Sequence, residues 1–144
     1  DANRTLRISD GLMEGYNYNG TKAPVFTTFY GLYDRFFSFG KKYPFDLPER
    51  WAEIPKDLDL TTPFNFVATN DIVGGNSGSP VIDKNAEIIG LAFDGNIESL
   101  QGNFIYLPDV NRTVAVDSRG IYEAIRKVYK ATRLADELWN GGIK

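Results

Sequence analysis

Apolar positions along the chain fall in short runs set off by turn residues. Thr5-Leu-Arg-Ile-Ser9 alternates with the period of two of a half-buried strand. Pro24-Val-Phe-Thr-Thr-Phe-Tyr-Gly31 is rich in aromatic and β-branched residues, so two strands are predicted, joined through the Gly- and Asn-rich stretch 11–20. From Asp34 to Thr62 no period is sustained. Segment 35–62 therefore reads as a long, partly aromatic surface excursion with one helical turn. The centre is more regular: Phe64–Thr69 is a strand, residues 70–78 a Gly-rich loop, Ser79–Asp83 a strand and Asp83–Ala86 a tight turn. Glu87–Phe93 lacks polar alternation and is expected to be a strand buried on both faces. Gly102–Leu107 and Arg112–Val116 read as two further strands. Ile121, Ile125, Val128 and Leu134 mark the apolar face of a C-terminal helix over residues 118–138 that Ser118 could cap. Tyr16, Tyr30, Phe93 and Phe104 are expected in the core. Six or seven short strands closed by a helix predict a mainly β chain, an antiparallel barrel or sandwich forming one domain over residues 1–144.

Composition narrows the chemistry. At 144 residues, 42% of them hydrophobic, the chain is long enough for one packed core and short for two. Sixteen basic against 19 acidic residues give a net charge of −3 with no long run of either sign, so neither nucleic acid nor an anionic membrane is expected as the main partner. No apolar run is long enough to span a bilayer. Without cysteine there are no disulfides, thiol nucleophiles or Cys-based zinc sites. Without histidine, a stand-alone hydrolase using an imidazole base and a His-ligated metal are both excluded, and no cofactor or metal is expected.

The candidate chemistry lies in Gly74-Gly-Asn-Ser-Gly-Ser-Pro80. A serine becomes a useful nucleophile when a tight turn exposes its Oγ and nearby N–H groups face the oxyanion that forms on the attacked carbonyl. Glycines on both sides of Ser77 permit such a turn, and the N–H groups of Gly75 and Ser77 can form the oxyanion hole. By composition alone the same residues also describe an ordinary polar turn between strands. Their order, Gly-Asn-Ser-Gly-Ser-Pro between two β-type segments, resembles the nucleophile loop of trypsin-like serine peptidases. Asn76 stands where enzymes activated by a freed N-terminus carry an aspartate, so no switch of that type is expected.

The stretch from Asn65 to Ile82, continuing to Ile89–Ser99 and Arg112–Asp117, is similar to the C-terminal part of the S46 family of bacterial dipeptidyl peptidases, and Thr5–Tyr16 also resembles it. Asp71-Ile and Phe93-Asp-Gly-Asn distinguish this likeness from trypsin-like peptidases in general. The resemblance implies a long parent chain with a double-barrel catalytic domain and a helical cap, which removes dipeptides from free N-termini. The present residues would be the nucleophile-bearing barrel with its C-terminal helix, inactive alone. The catalytic His and Asp would come from the N-terminal barrel. By the same resemblance Asp94 meets the substrate's α-ammonium, and Gly95 is the S1 position that sorts the penultimate residue. Family members selective for acidic residues carry arginine there, so glycine implies an apolar preference. A periplasmic or cell-surface location in a Gram-negative bacterium follows, with a peptide as substrate partner. A lone half would expose the surface its partner covers, which favours a homodimer.

Two other readings remain open. One is a glutamyl-endopeptidase-like protein of the same clan, though the histidine those enzymes tend to place in S1 is absent. The other is a non-catalytic, peptide-binding barrel. From the residues alone, Asp94-Gly95 is equally a good turn pair, and Asp71 and Glu98 are solvated loop positions.

Overall fold

The computed structural model describes residues 5–141. The elements run β1 (Tyr16–Tyr18), β2 (Thr21–Ala23), β3 (Phe26–Thr28), α1 (Phe29–Ser38), α2 (Glu49–Ala52), β4 (Pro63–Ala68), β5 (Pro80–Ile82), β6 (Ile88–Gly95), β7 (Thr113–Asp117), α3 (Ser118–Glu123) and α4 (Thr132–Asn140). The residues gather into two compact units. One comprises the residues up to Phe26 with Asn65–Ser118, the other Thr27–Phe64 with the residues from Arg119 onward.

The first unit is built on antiparallel sheet. β1 and β2 form a hairpin whose turn, Asn19-Gly20, has both φ angles positive (47° and 78°), the geometry that matches strand twist. The larger sheet has the order β3-β4-β7-β6-β5. β4 pairs with β7, β7 with β6 and β6 with β5, all antiparallel. Its interior is lined with small residues, Ala68, Ala92 and Ala115, beside the buried Phe66 ring. At Gly90 a Cβ would overlap the Val116 carbonyl oxygen and lie 2.6 Å from that ring, so the ring can lie close only over a glycine. Between β5 and β6, Asp83 Oδ1 accepts the N–H groups of Asn85 (2.8 Å) and Glu87 (2.9 Å), closing the turn its sequence predicted.

Several expectations are corrected here. Among the described residues β3 and β5 are the outer strands of an open sheet, so the closed barrel is not confirmed; closure would need those two strands to pair. Gly102–Leu107 is not a strand. A 3-10 turn spans Ile97–Asn103, and the Gln101 carbonyl accepts the N–H groups of both Phe104 and Ile105, which prolongs the turn into that segment. Phe104 is 90% exposed, and Tyr30 and Phe93 are exposed too, while Tyr16 is half-buried, so these four are not the core. Thr5–Ser9 forms no strand, and Leu6 and Ile8 face solvent. The chain instead docks farther on: Thr69 N–H donates to the Leu12 carbonyl (2.9 Å), and Asn70 Nδ2 donates to the Ser9 carbonyl (2.7 Å). β6 is covered on one face only. Gly90 and Ala92 are buried, whereas Ile88, Leu91 and Phe93 remain exposed.

The second unit is helical where a surface excursion was expected. Phe29, Tyr33 and Phe36 follow the i, i+4, i+7 spacing of one helix face and are buried with Leu58, Ala124 and Val128. Trp51 and Phe64 pack against this cluster, their ring centroids 6.1 and 5.0 Å from that of Phe29. The C-terminal helix is not continuous. Ser118 is the first residue of α3 rather than its cap, a wide π turn covers Ala124–Val128, and Lys130 with φ 53° breaks the path before α4. Leu134 is consequently exposed. Gly141, at φ 69°, terminates α4 in the left-handed conformation that favours glycine.

Candidate active site

The loop before β5 is closed from within by Asn76. Its Oδ1 accepts the Val73 N–H (2.9 Å), its N–H donates to the Val73 carbonyl (3.1 Å), and its carbonyl accepts the Ser79 N–H (2.9 Å). Asn76 is therefore a brace of the loop. Gly75 and Gly78 have φ of 100° and 85°, where an L side chain is strained, so both glycines are required by the turn. The loop is then stapled to β6. Gly78 N–H donates to the Ala92 carbonyl (2.7 Å), Ala92 N–H donates to the Ser79 carbonyl (2.9 Å), and Ser77 Oγ donates to the Phe93 carbonyl (3.3 Å). Ser77 is exposed. The N–H groups of Gly75 and Ser77 donate to no acceptor among the described residues.

Phe93 can face Ser77 because β6 bulges there. Ala92 is opposite Ala115, but the next paired residue, Asp94, is opposite Val114, leaving Phe93 unpaired. Past the bulge the side chain of Asp94 is exposed, and its Oδ1 accepts the N–H of Gly95 (2.8 Å). Gly95 is half-buried opposite Thr113. The space beside it is not empty. A Cβ on Gly95 would fall on Ser99 Oγ and lie 3.2 Å from Ser99 Cβ. Ser99 is fixed in turn, donating through Oγ (2.6 Å) and N–H (3.0 Å) to the Asn96 carbonyl.

The end of β6 is held by two buried polar side chains that sequence reasoning missed. Asn96 accepts the Arg112 N–H at Oδ1 (2.8 Å) and donates through Nδ2 to Glu98 (2.8 Å) and to the Val110 carbonyl (2.7 Å). Arg112 is 3% exposed, and its guanidinium donates to the carbonyls of Glu14, Pro108, Asn111 and Gly15 at 2.8–2.9 Å while lying 5.9 Å from the Tyr16 ring centroid. No carboxylate pairs with it among the described residues. One buried cation thus ties segments 14–15 and 108–111 to the head of β7, the strand that pairs with the one carrying Gly95. Tyr106 Oη donates to the Thr69 carbonyl and Thr113 Oγ1 to the Asn70 carbonyl (2.7 Å), anchoring the start of the serine loop. A polar Asn-Arg-Thr run at the head of an apolar strand is the one sequence signal that could have pointed to Arg112.

Ser77 is thus held against the bulge of the strand that carries Phe93, Asp94 and Gly95. Comparison with known proteins now bears on the arrangement, because a family model for peptidase S46 matches residues 1–140. The chain belongs to the peptidase S46 family. It is 38% identical over 152 residues to dipeptidyl-peptidase 7 of Porphyromonas gingivalis, covering 96% of this chain and 20% of that protein. It is 35% identical over 154 residues to the Asp/Glu-specific dipeptidyl-peptidase of the same species, again covering 96% and 20%. The crystal structure of Porphyromonas endodontalis DPP11 in complex with the dipeptide Arg-Glu superposes with a TM-score of 0.80 at 30% identity, over 96% of this chain and 21% of that one. The chain therefore spans about a fifth (18–21%) of the length of the curated relatives it matches. Among the described residues no helix is long and apolar enough to cross a membrane.

Proposed function

We propose that the parent protein is a serine-type dipeptidyl peptidase and that this chain supplies its nucleophile and the S1 wall. The observation that carries the reading is Ser77: an exposed hydroxyl between two glycines at positive φ, stapled to the bulged carbonyl of Phe93, with two backbone donors, Gly75 and Ser77 N–H, left without acceptors among the described residues. In this reading Ser77 Oγ attacks the scissile carbonyl and passes its proton to a histidine of the N-terminal barrel. The two N–H groups receive the oxyanion, and the imidazolium then protonates the leaving amine. Asp94, exposed where the bulge ends, pairs with the substrate's α-ammonium and so restricts cleavage to dipeptides at free N-termini. The base and its orienting carboxylate lie outside these residues, which makes the isolated chain inactive. A periplasmic or cell-surface setting, a helical cap, completion of the barrel by the remaining chain and a homodimer belong to the same proposal.

For the penultimate residue the proposal is an apolar preference. Residue 95 carries no cation, and the guanidinium of neighbouring Arg112 is engaged by four carbonyls. Some relatives are named Asp/Glu-specific, which makes an acidic preference the second reading. The test is a fluorophosphonate probe with dipeptidyl fluorogenic substrates on the full-length parent. Labelling at Ser77, loss of label and of activity in Ser77→Ala, and faster release after Leu or Phe than after Asp or Glu are expected. Labelling elsewhere removes the nucleophile assignment, and faster release after Glu removes the apolar one.

A further inference from the structure

We propose that Ser99 is a specificity-determining residue: it occupies the space into which any side chain at position 95 must point, and so decides with Gly95 what the penultimate-residue pocket accepts. The inference rests on the S1 reading of Gly95.

The case is geometric. A Cβ added to Gly95 would overlap Ser99 Oγ, and rotating that hydroxyl away does not clear the site, because Ser99 Cβ would still be 3.2 Å from the new atom, tighter than ordinary van der Waals contact. Rotation would also break the Oγ–H donation to the Asn96 carbonyl. Translating Ser99 is resisted by the turn that begins at Asn96, whose side chain is bonded to Arg112, Val110 and Glu98. Gly95 itself has an ordinary φ, so only this contact, not backbone strain, keeps residue 95 without a side chain. A cation introduced at residue 95 to receive an acidic side chain therefore needs a smaller residue at 99. Specificity at this wall is encoded by the pair.

The experiment uses the full-length parent carrying Gly95→Ala or Gly95→Arg, each made alone and combined with Ser99→Ala or Ser99→Gly, assayed as kcat/KM on substrates with Leu or Glu at the penultimate position. Fluorophosphonate labelling of Ser77 normalises each variant to its folded, competent fraction. Gly95→Ala is expected to cost roughly 10-fold on Leu substrates with Ser99 present, less when combined with Ser99→Ala and about 2-fold or less when combined with Ser99→Gly. Gly95→Arg alone is expected to lose Leu cleavage with no gain on Glu, whereas Gly95→Arg/Ser99→Gly raises the Glu-to-Leu ratio by at least about 10-fold over Gly95→Arg. If Gly95→Arg gains Glu cleavage equally in all three backgrounds, the role of Ser99 is overturned and the S1 reading stands. If no combination changes the Glu-to-Leu ratio, residue 95 lies outside S1, and both the reading and the inference fall.

Discussion

In the sheet unit Phe66 lies among Ala68, Gly90, Ala92 and Ala115, and the other large buried side chain is Arg112, bonded to four carbonyls. In the helical unit Phe29, Tyr33 and Phe36 from one helix meet Leu58, Ala124 and Val128, and the buried contacts are ring against ring or ring against aliphatic chain. The first interior holds irregular backbone in place by hydrogen bonds, as a site on loops requires; the second holds regular backbone by packing. Mutations should consequently fail differently in the two places.

The largest effects are expected where each mechanism is concentrated. Phe29→Ala should cost the helical unit about 3–5 kcal/mol through lost burial and a cavity. Arg112→Met should cost the sheet unit somewhat less, about 2–3 kcal/mol, because four carbonyls, three of them in part-buried bonds, lose a charged donor. Hydrogen exchange resolved by peptide in the parent protein measures both. Arg112→Met should in addition raise KM more than Phe29→Ala, since it frees the loops at 14–15 and 108–111; equal exchange in those loops would break the contrast. Gly90→Ala comes next, at about 1–3 kcal/mol, since the new methyl must displace the Phe66 ring or the Val116 carbonyl.

Tyr33 sharpens the comparison from the other side. Its hydroxyl is buried without a hydrogen-bond partner among the described residues, and burial raises its pKa. The raised value means that folding loses stability as pH rises above the ordinary tyrosine range and through the folded value, because burial disfavours the charged phenolate. Tyr33→Phe should stabilise the helical unit by about 1 kcal/mol at neutral pH and remove that alkaline sensitivity, both readable by hydrogen exchange. The smallest effect is expected at Asp57, which the Lys127 ammonium hydrogen-bonds at 2.9 Å. That hydrogen bond lowers its pKa, so the pair contributes above the ordinary carboxylate range and is lost as pH falls through the lowered value. Asp57→Asn should change unfolding slightly at low salt and undetectably at high salt.

How much of this was legible depended on which atoms do the holding. The serine loop could be read because glycine, asparagine and serine act there through their own side chains or lack of them. β4 to β7 could be placed within a residue or two because their apolar runs end in turn residues with fixed chemistry. α1 could not, because Phe29–Phe37 is rich in aromatic residues that propensity assigns to strands, although its buried positions follow a helical period. Arg112 and Ser99 were harder to find: their partners are backbone carbonyls and a missing Cβ, and only the polar Asn111-Arg-Thr113 run before an apolar strand hints at the first. The resemblance singled out Gly95, and the contact that keeps it without a side chain is visible only in the geometry.

The bulge at Phe93 makes length, as well as identity, a carrier of information. On either side of it the side chains of β6 run out of phase, so deleting one residue between Ala92 and Gly95 would exchange the faces of Asp94 and Gly95 and withdraw the carbonyl that receives Ser77. The Asp83–Glu87 turn lies beyond the pairs Pro80–Leu91 and Val81–Gly90, which hold the register on the side of the serine loop. Insertions at that tip should therefore pass unnoticed, while the two short intervals 77–80 and 92–95 admit none. A sound search for distant sequences with this site would fix those two intervals and leave the distance between them free.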